Sequence, residues 1–116
     1  MKDYKFDFEI NNKVYSLVFN LNVMEQIQEK YGTIEKWGAL TDGKTREVNA
    51  KALIYGLLCM MNEGIEINND EKGMLDALLD HKQVGRIITK VGLQSTAQKI
   101  NEALINATKD DIPKNE

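Results

Sequence analysis

The sequence has little of what most chemistries require. A single cysteine, Cys59, excludes any disulfide within the chain and fits a reducing cytoplasm. With one cysteine and one histidine, His81, a zinc site would need several carboxylates to complete it. Arginine is scarce: of fifteen basic residues only Arg46 and Arg86 are arginine, and the net charge is −3. Arginine is the residue of forked phosphate contacts, and nucleic-acid binders carry a basic surplus, so nucleic acid is disfavoured as a partner. No apolar run approaches the roughly 20 residues of a membrane helix. The first seven residues alternate charge with aromatics, so no signal-peptide core is expected there. The one proline, Pro113, falls in a charged C-terminal stretch.

What is present is an ordinary globular complement. The chain has 116 residues, 42% of them apolar, which is enough for one domain with its own core. Tyr4, Phe6, Phe8 and Ile10 alternate with Lys5, Asp7 and Glu9, the two-residue period of a strand. Asn11-Asn12 suits a tight turn, and a second strand is expected over residues 13–19. A two-residue turn there sets Phe8 against Tyr15, Phe6 against Leu17 and Tyr4 against Phe19, all on one face, with Asp7 and Ser16 paired on the other. A one-residue slip would invert that agreement. An isolated hairpin is marginal in water, so the aromatic face is expected to be covered by helices or another chain.

Helical periodicity takes over from there. Asn22 with Glu25 reads as a capping box for a helix carrying Val23, Met24, Ile27 and Tyr31, stopped by Gly32. Thr33 caps a short helix with Ile34, Trp37 and Leu40, and residues 41–44 read as an exposed turn. The most apolar helix is expected over residues 49–62, ending at Gly64, with Leu57 to Met61 at the centre of the core. Ile65-Glu66-Ile67 reads as an extended link. Asn69 or Asp70 then caps a fourth helix bearing Met74, Leu75, Leu78 and Leu79. A long helical region is expected over residues 83–107, weakened at Gly92, where Ser95 could cap a separate second segment. The fold class expected is α+β: an N-terminal two-stranded antiparallel β-hairpin followed by four to six helices in a small bundle. The domain is expected over residues 1–108, and residues 109–116 are expected to form a charged, disordered tail.

No catalytic, cofactor or metal site emerges, and an enzyme is not expected. His81 beside Asp80, with Asp76 nearby, reads better as a solvated helix end than as an acid–base pair, since nothing converges on it. Cys59 lies among Leu57, Leu58, Met60 and Met61, an apolar setting unlike that of a reactive thiolate. The segment Asn68-Asn69-Asp70-Glu71-Lys72-Gly73 resembles a calcium loop only at Gly73; Lys72 and Leu79 stand where oxygen ligands belong, and helix capping explains it better. There is no phosphate loop and no dinucleotide fingerprint. Lys82, Arg86 and Lys90 form a basic stripe, best read as a solvated face. Met24, Met60, Met61 and Met74 sit in or beside apolar stripes, where core filling is the default and adaptable helix binding the alternative. By elimination the chain reads as a binding or scaffolding module whose partner-binding residues are unknown.

The order of parts carries a resemblance. It comprises the hairpin Tyr4-x-Phe6-x-Phe8 … Val14-Tyr15-x-Leu17-x-Phe19, then a helix ending Glu29-Lys30-Tyr31-Gly32-Thr33-Ile34. The apolar Ala52-Leu53-Ile54-Tyr55-Gly56-Leu57-Leu58 follows, with a leucine-bearing helix and a long last helix after it. Over roughly residues 4–108 this resembles the tail assembly chaperones of long-tailed phages and prophages of Gram-positive bacteria. The resemblance implies a non-enzymatic chaperone in the host bacterial cytoplasm, absent from the mature virion. Its partner would be the tape-measure protein, which it keeps soluble while the tail tube forms, with the tail-tube protein as a further candidate. It also implies several copies along the partner, no cofactor, no nucleic acid and no membrane. A longer frameshifted product is common in such families, and Pro113-Lys114-Asn115 can be encoded on a slippery adenine run. Two other classes stay open: a head–tail connector or tail-completion protein, and, less favoured by the charge, a helical DNA-binding regulator.

Overall fold

A computed structural model of the chain describes residues 3–10, 12–44 and 46–109. The described elements run β1 (Tyr4–Ile10), β2 (Lys13–Phe19), α1 (Leu21–Tyr31), α2 (Ile34–Thr41), α3 (Ala50–Lys72), α4 (His81–Val91) and α5 (Leu93–Lys109). The fold is α+β, a two-stranded antiparallel hairpin followed by helices. Residues 110–116, including most of the expected tail and the Pro113-Lys114-Asn115 segment, lie outside the described residues; Lys109, expected to begin that tail, ends α5.

The hairpin adopts the register that the turn and the aromatic pattern dictate. Tyr4 faces Phe19, Phe6 faces Leu17, Phe8 faces Tyr15 and Asp7 faces Ser16. Asn12 takes a positive φ of 67°, the left-handed conformation that asparagine tolerates. Phe8, Ile10, Leu17 and Phe19 are buried in the core, while Tyr4, Phe6 and Tyr15 are half-buried against it. Val18, on the opposite face, is buried as well. It lies beside α3 at Gly64, where a Cβ would sit 2.5 Å from the Ser16 carbonyl oxygen.

That contact corrects the reading of Gly64 as a helix stop. The glycine lets α3 press against the β2 backbone, and the helix continues through Ile65-Glu66-Ile67 to Lys72, where Gly73 ends it in the left-handed region. The expected extended link is therefore helix. The expected fourth helix is absent: residues 74–80 form no regular element, for reasons that lie in the side chain of Asn69 described below. The calcium-like segment, read as helix capping, is instead the last turns of α3 with its C-cap.

Two caps also move. Asn20, not Asn22, caps α1: its side-chain oxygen accepts from the Val23 N–H at 3.2 Å, because β2 ends at Phe19 and leaves Asn20 extended. Asn22 falls in the first turn and donates to Glu63 instead. The region over residues 83–107 divides at Gly92, whose φ of 104° breaks the helix. The Gly92 N–H closes α4 on the Ile88 carbonyl, and its own carbonyl accepts from Thr96, which starts α5. Ser95 therefore lies inside the first turn of α5 and caps nothing. Asp80 caps α4 in a reciprocal pair with Gln83.

The core gathers the hairpin's inner face with Val23, Ile27, Trp37, Leu53, Leu57, Met60, Met61, Val84, Ile88 and Ile100. Trp37 is clamped: its indole N–H donates to the Ala52 carbonyl at 2.8 Å, and its ring lies against Gly56, where any Cβ would collide with it. Thr41, expected in an exposed turn, is buried at the end of α2 and donates its hydroxyl to the Trp37 carbonyl. No described helix is long and apolar enough to cross a membrane.

Candidate partner-binding surface

The segment joining α3 to α4 departs furthest from an ordinary buried–exposed pattern. Residues 74–80 run along α3 as a strap without regular structure. Its large apolar side chains face water: Leu75 is 98% exposed, Leu78 49% and Met74 39%. Only Leu79 packs inward against the core.

Two asparagines of α3 hold the strap. Asn62 accepts from the Leu79 N–H at 2.8 Å and donates to the Leu79 carbonyl at 3.0 Å. Asn69 does the same to Asp76, both bonds at 3.0 Å. A side-chain amide carries one acceptor and donors in the same spacing as a peptide group, so each asparagine pairs with the strap as a neighbouring strand would. The two lie seven residues apart, two helical turns, and so on one face of α3. Met74 is tied further by its N–H to the Asn69 carbonyl. The backbone is thus fixed while Met74, Leu75 and Leu78 project outward.

The strap separates two hollows. The larger, about 520 Å³, opens between the hairpin and α3 and is lined by Val14, Val18, Met61, Ile65, Ile67 and Leu79 among others. Val14, 55% exposed, extends the apolar surface onto the hairpin. The smaller, about 210 Å³, lies on the Leu78 side, against Tyr55 and Leu58. Charge is unevenly placed around them. Glu63 and Glu66 line the smaller hollow, Glu71 and Asp76 the larger, and Lys5 and Lys13 stand on the hairpin wall.

Of the residues singled out in the sequence, Cys59 lines the smaller hollow, Met61, Asn68, Glu71 and Asp76 line the larger, and the others fall elsewhere. Cys59 is buried beside Tyr55, whose hydroxyl donates to the Gln26 carbonyl at 3.2 Å. The Lys30 ammonium sits 4.4 Å from the Tyr55 ring centroid, and Tyr31 meets the same ring edge-on. Burial pushes the Tyr55 hydroxyl up to about 12, with the neighbouring Cys59 adding to it. Burial also raises the Cys59 thiol, against the opposing pull of Tyr55 and Lys30. The cluster packs α1 against α3. His81 is exposed in the first turn of α4, and Lys82, Arg86 and Lys90 are exposed along that helix. Met60 and Met61 are buried and Met24 half-buried; only Met74 belongs to the strap surface. No group of three or more His, Cys, Asp or Glu among the described residues is placed to hold a metal ion.

The asparagine clamps are not legible in the sequence, because Asn62 and Asn69 share a helix face only once α3 is seen to continue past Gly64. Compared with known proteins, the chain matches no protein-family model, no curated protein and no solved structure.

Proposed function

We propose that this chain is a non-enzymatic tail assembly chaperone of a long-tailed phage or prophage, acting in the host cytoplasm on the tape-measure protein. The observation that carries the reading is the strap: three large apolar side chains held in water by a hydrogen-bonded backbone, with hollows on either side. Large apolar side chains clustered at a soluble surface mark a binding site for another macromolecule. A long amphipathic helix lays its apolar stripe into such a surface, and methionine and leucine accommodate varied partners. Several weak sites repeated along one long helix gain strength through avidity, which suits a coat of chaperones that must later be shed. Of the parts that carry the family resemblance, the hairpin, the helix ending at Tyr31 and the apolar helix are present and support the same reading, while the strap stands in place of the leucine-bearing helix and the last helix is divided at Gly92.

Co-expression with the tape-measure protein encoded nearby tests it. The partner is expected to be soluble and to co-purify with this chain, and to aggregate without it. A Leu75→Ser/Leu78→Ser variant should fold normally and lose that effect. A partner equally soluble alone, or this chain as a stoichiometric component of purified tails, would overturn the proposal, the latter in favour of a structural tail or connector protein.

A further inference from the structure

Acidic charge is concentrated where the apolar side chains are exposed. Residues 63–80 hold six acids, Glu63, Glu66, Asp70, Glu71, Asp76 and Asp80, against one base, Lys72. That is a net −5 within a chain whose total is −3, so the remainder carries a small positive excess. The acids flank the strap on both sides: Glu63 and Glu66 at the hollow beside Leu78, Glu71 and Asp76 at the larger one. The lysines of the larger hollow, Lys5 and Lys13, belong to the hairpin strands across from the strap.

We infer that the strap is a docking site for an amphipathic helix whose apolar stripe is bordered by lysine or arginine. This rests on the reading of the strap as the partner-binding surface and names the chemistry of the partner. Three features select that occupant. Met74, Leu75 and Leu78 are three exposed apolar side chains within five residues, the number one short helical stripe can cover. Carboxylates on both margins meet basic residues at the positions that border such a stripe and repel acidic ones. Of these carboxylates, Glu63 is already engaged, accepting from Asn20 at 2.8 Å and from Asn22 at 3.1 Å. Exposed Glu66, Glu71 and Asp76 are therefore the ones that discriminate, and Glu66 and Asp76 stand one at each hollow.

Two synthetic helical peptides test the inference on the intact protein. They share one leucine stripe at i, i+3, i+4 and i+7 spacing and differ only in bordering lysines or glutamates. The lysine peptide is expected to bind about tenfold more tightly at low salt, the combined effect of a few exposed charge pairs, with the gap narrowing as salt rises. Glu66→Lys/Asp76→Lys should reverse the preference, and both positions are exposed, so the fold survives. Leu75→Ser/Leu78→Ser should weaken the lysine peptide about tenfold, which separates docking on the strap from general attraction to an acidic protein. Equal affinity for the two peptides, binding by neither, or a preference untouched by the charge reversal would overturn the inference. No tape-measure protein enters the measurement, so its outcome is independent of the partner's identity.

Discussion

Within α3, residues 50–64 and residues 65–72 are parts of one helix under different physical control. In the first stretch Ala52, Leu53, Gly56, Leu57, Cys59, Met60, Met61 and Gly64 are buried, covering much of the helix circumference. Beyond Gly64 no residue of the helix is buried. A helix ordinarily continues because its apolar face continues to pack. Here the last two turns carry Asn69, and with Asn62 they support the strap. The first stretch is where the chain gains stability, and the second is where it spends a little of that stability to display apolar side chains.

The largest expected effects therefore lie in the first stretch. Leu57 is fully buried, and Leu57→Ala should cost about 2–5 kcal/mol in chemical denaturation. Gly56→Ala should cost about 1–3 kcal/mol. Its methyl would displace the Trp37 ring, which the bond to the Ala52 carbonyl holds in place. Near-ultraviolet circular dichroism should report the altered tryptophan environment. A cost below about 1 kcal/mol for Leu57→Ala would place the core elsewhere and dissolve the contrast.

Asn62→Ala acts at the junction of the two. It strands the N–H and carbonyl of half-buried Leu79, at about 1–2 kcal/mol. Asn69→Ala frees the more exposed Asp76 and should cost less. In both variants the released amide should exchange hydrogen faster while core amides of α3 hold their protection. Uniform loss of protection across α3 would show that the strap and the core unfold as one unit.

The same division governs what could be read from the sequence. The hairpin was legible down to its register, because alternation and turn length over-determine it, as Phe8 opposite Tyr15 shows. Trp37 and Leu57 were legible from helical periodicity. Gly64 was not, because a glycine that stops a helix and one that admits a neighbouring backbone look alike until the Ser16 carbonyl is in view. Asn69 or Asp70 reads as a cap because both residue types cap often, whereas the partner of Asn69 here, Asp76, is seven residues ahead. Met74, Leu75, Leu78 and Leu79 have helical spacing, and periodicity alone places such residues inward. Gly73 in the left-handed region and two side-chain amides override it. The candidate surface was thus the least legible part of the chain, which is where local preference and final structure disagree.

The smallest expected effect is the most discriminating. Leu75 and Leu79 are the same residue type, four positions apart on one strap, so composition cannot separate them. Leu79 packs on the core, and removing its side chain withdraws buried apolar surface at about 25 cal/mol per Å². Leu79→Ala should therefore lower stability by about 1–2 kcal/mol, short of the cost at fully buried Leu57, since Leu79 is only half-buried. Leu75 is 98% exposed and has almost no buried surface to lose, so Leu75→Ala should change stability by less than about 0.5 kcal/mol in either direction. Paired denaturation midpoints at a shared slope would show the difference. If Leu75→Ala cost as much as Leu79→Ala, the strap would be packed rather than displayed, and no side chain on it would be free to meet a partner. A neutral Leu75→Ala that also weakens partner binding would assign that leucine to recognition alone.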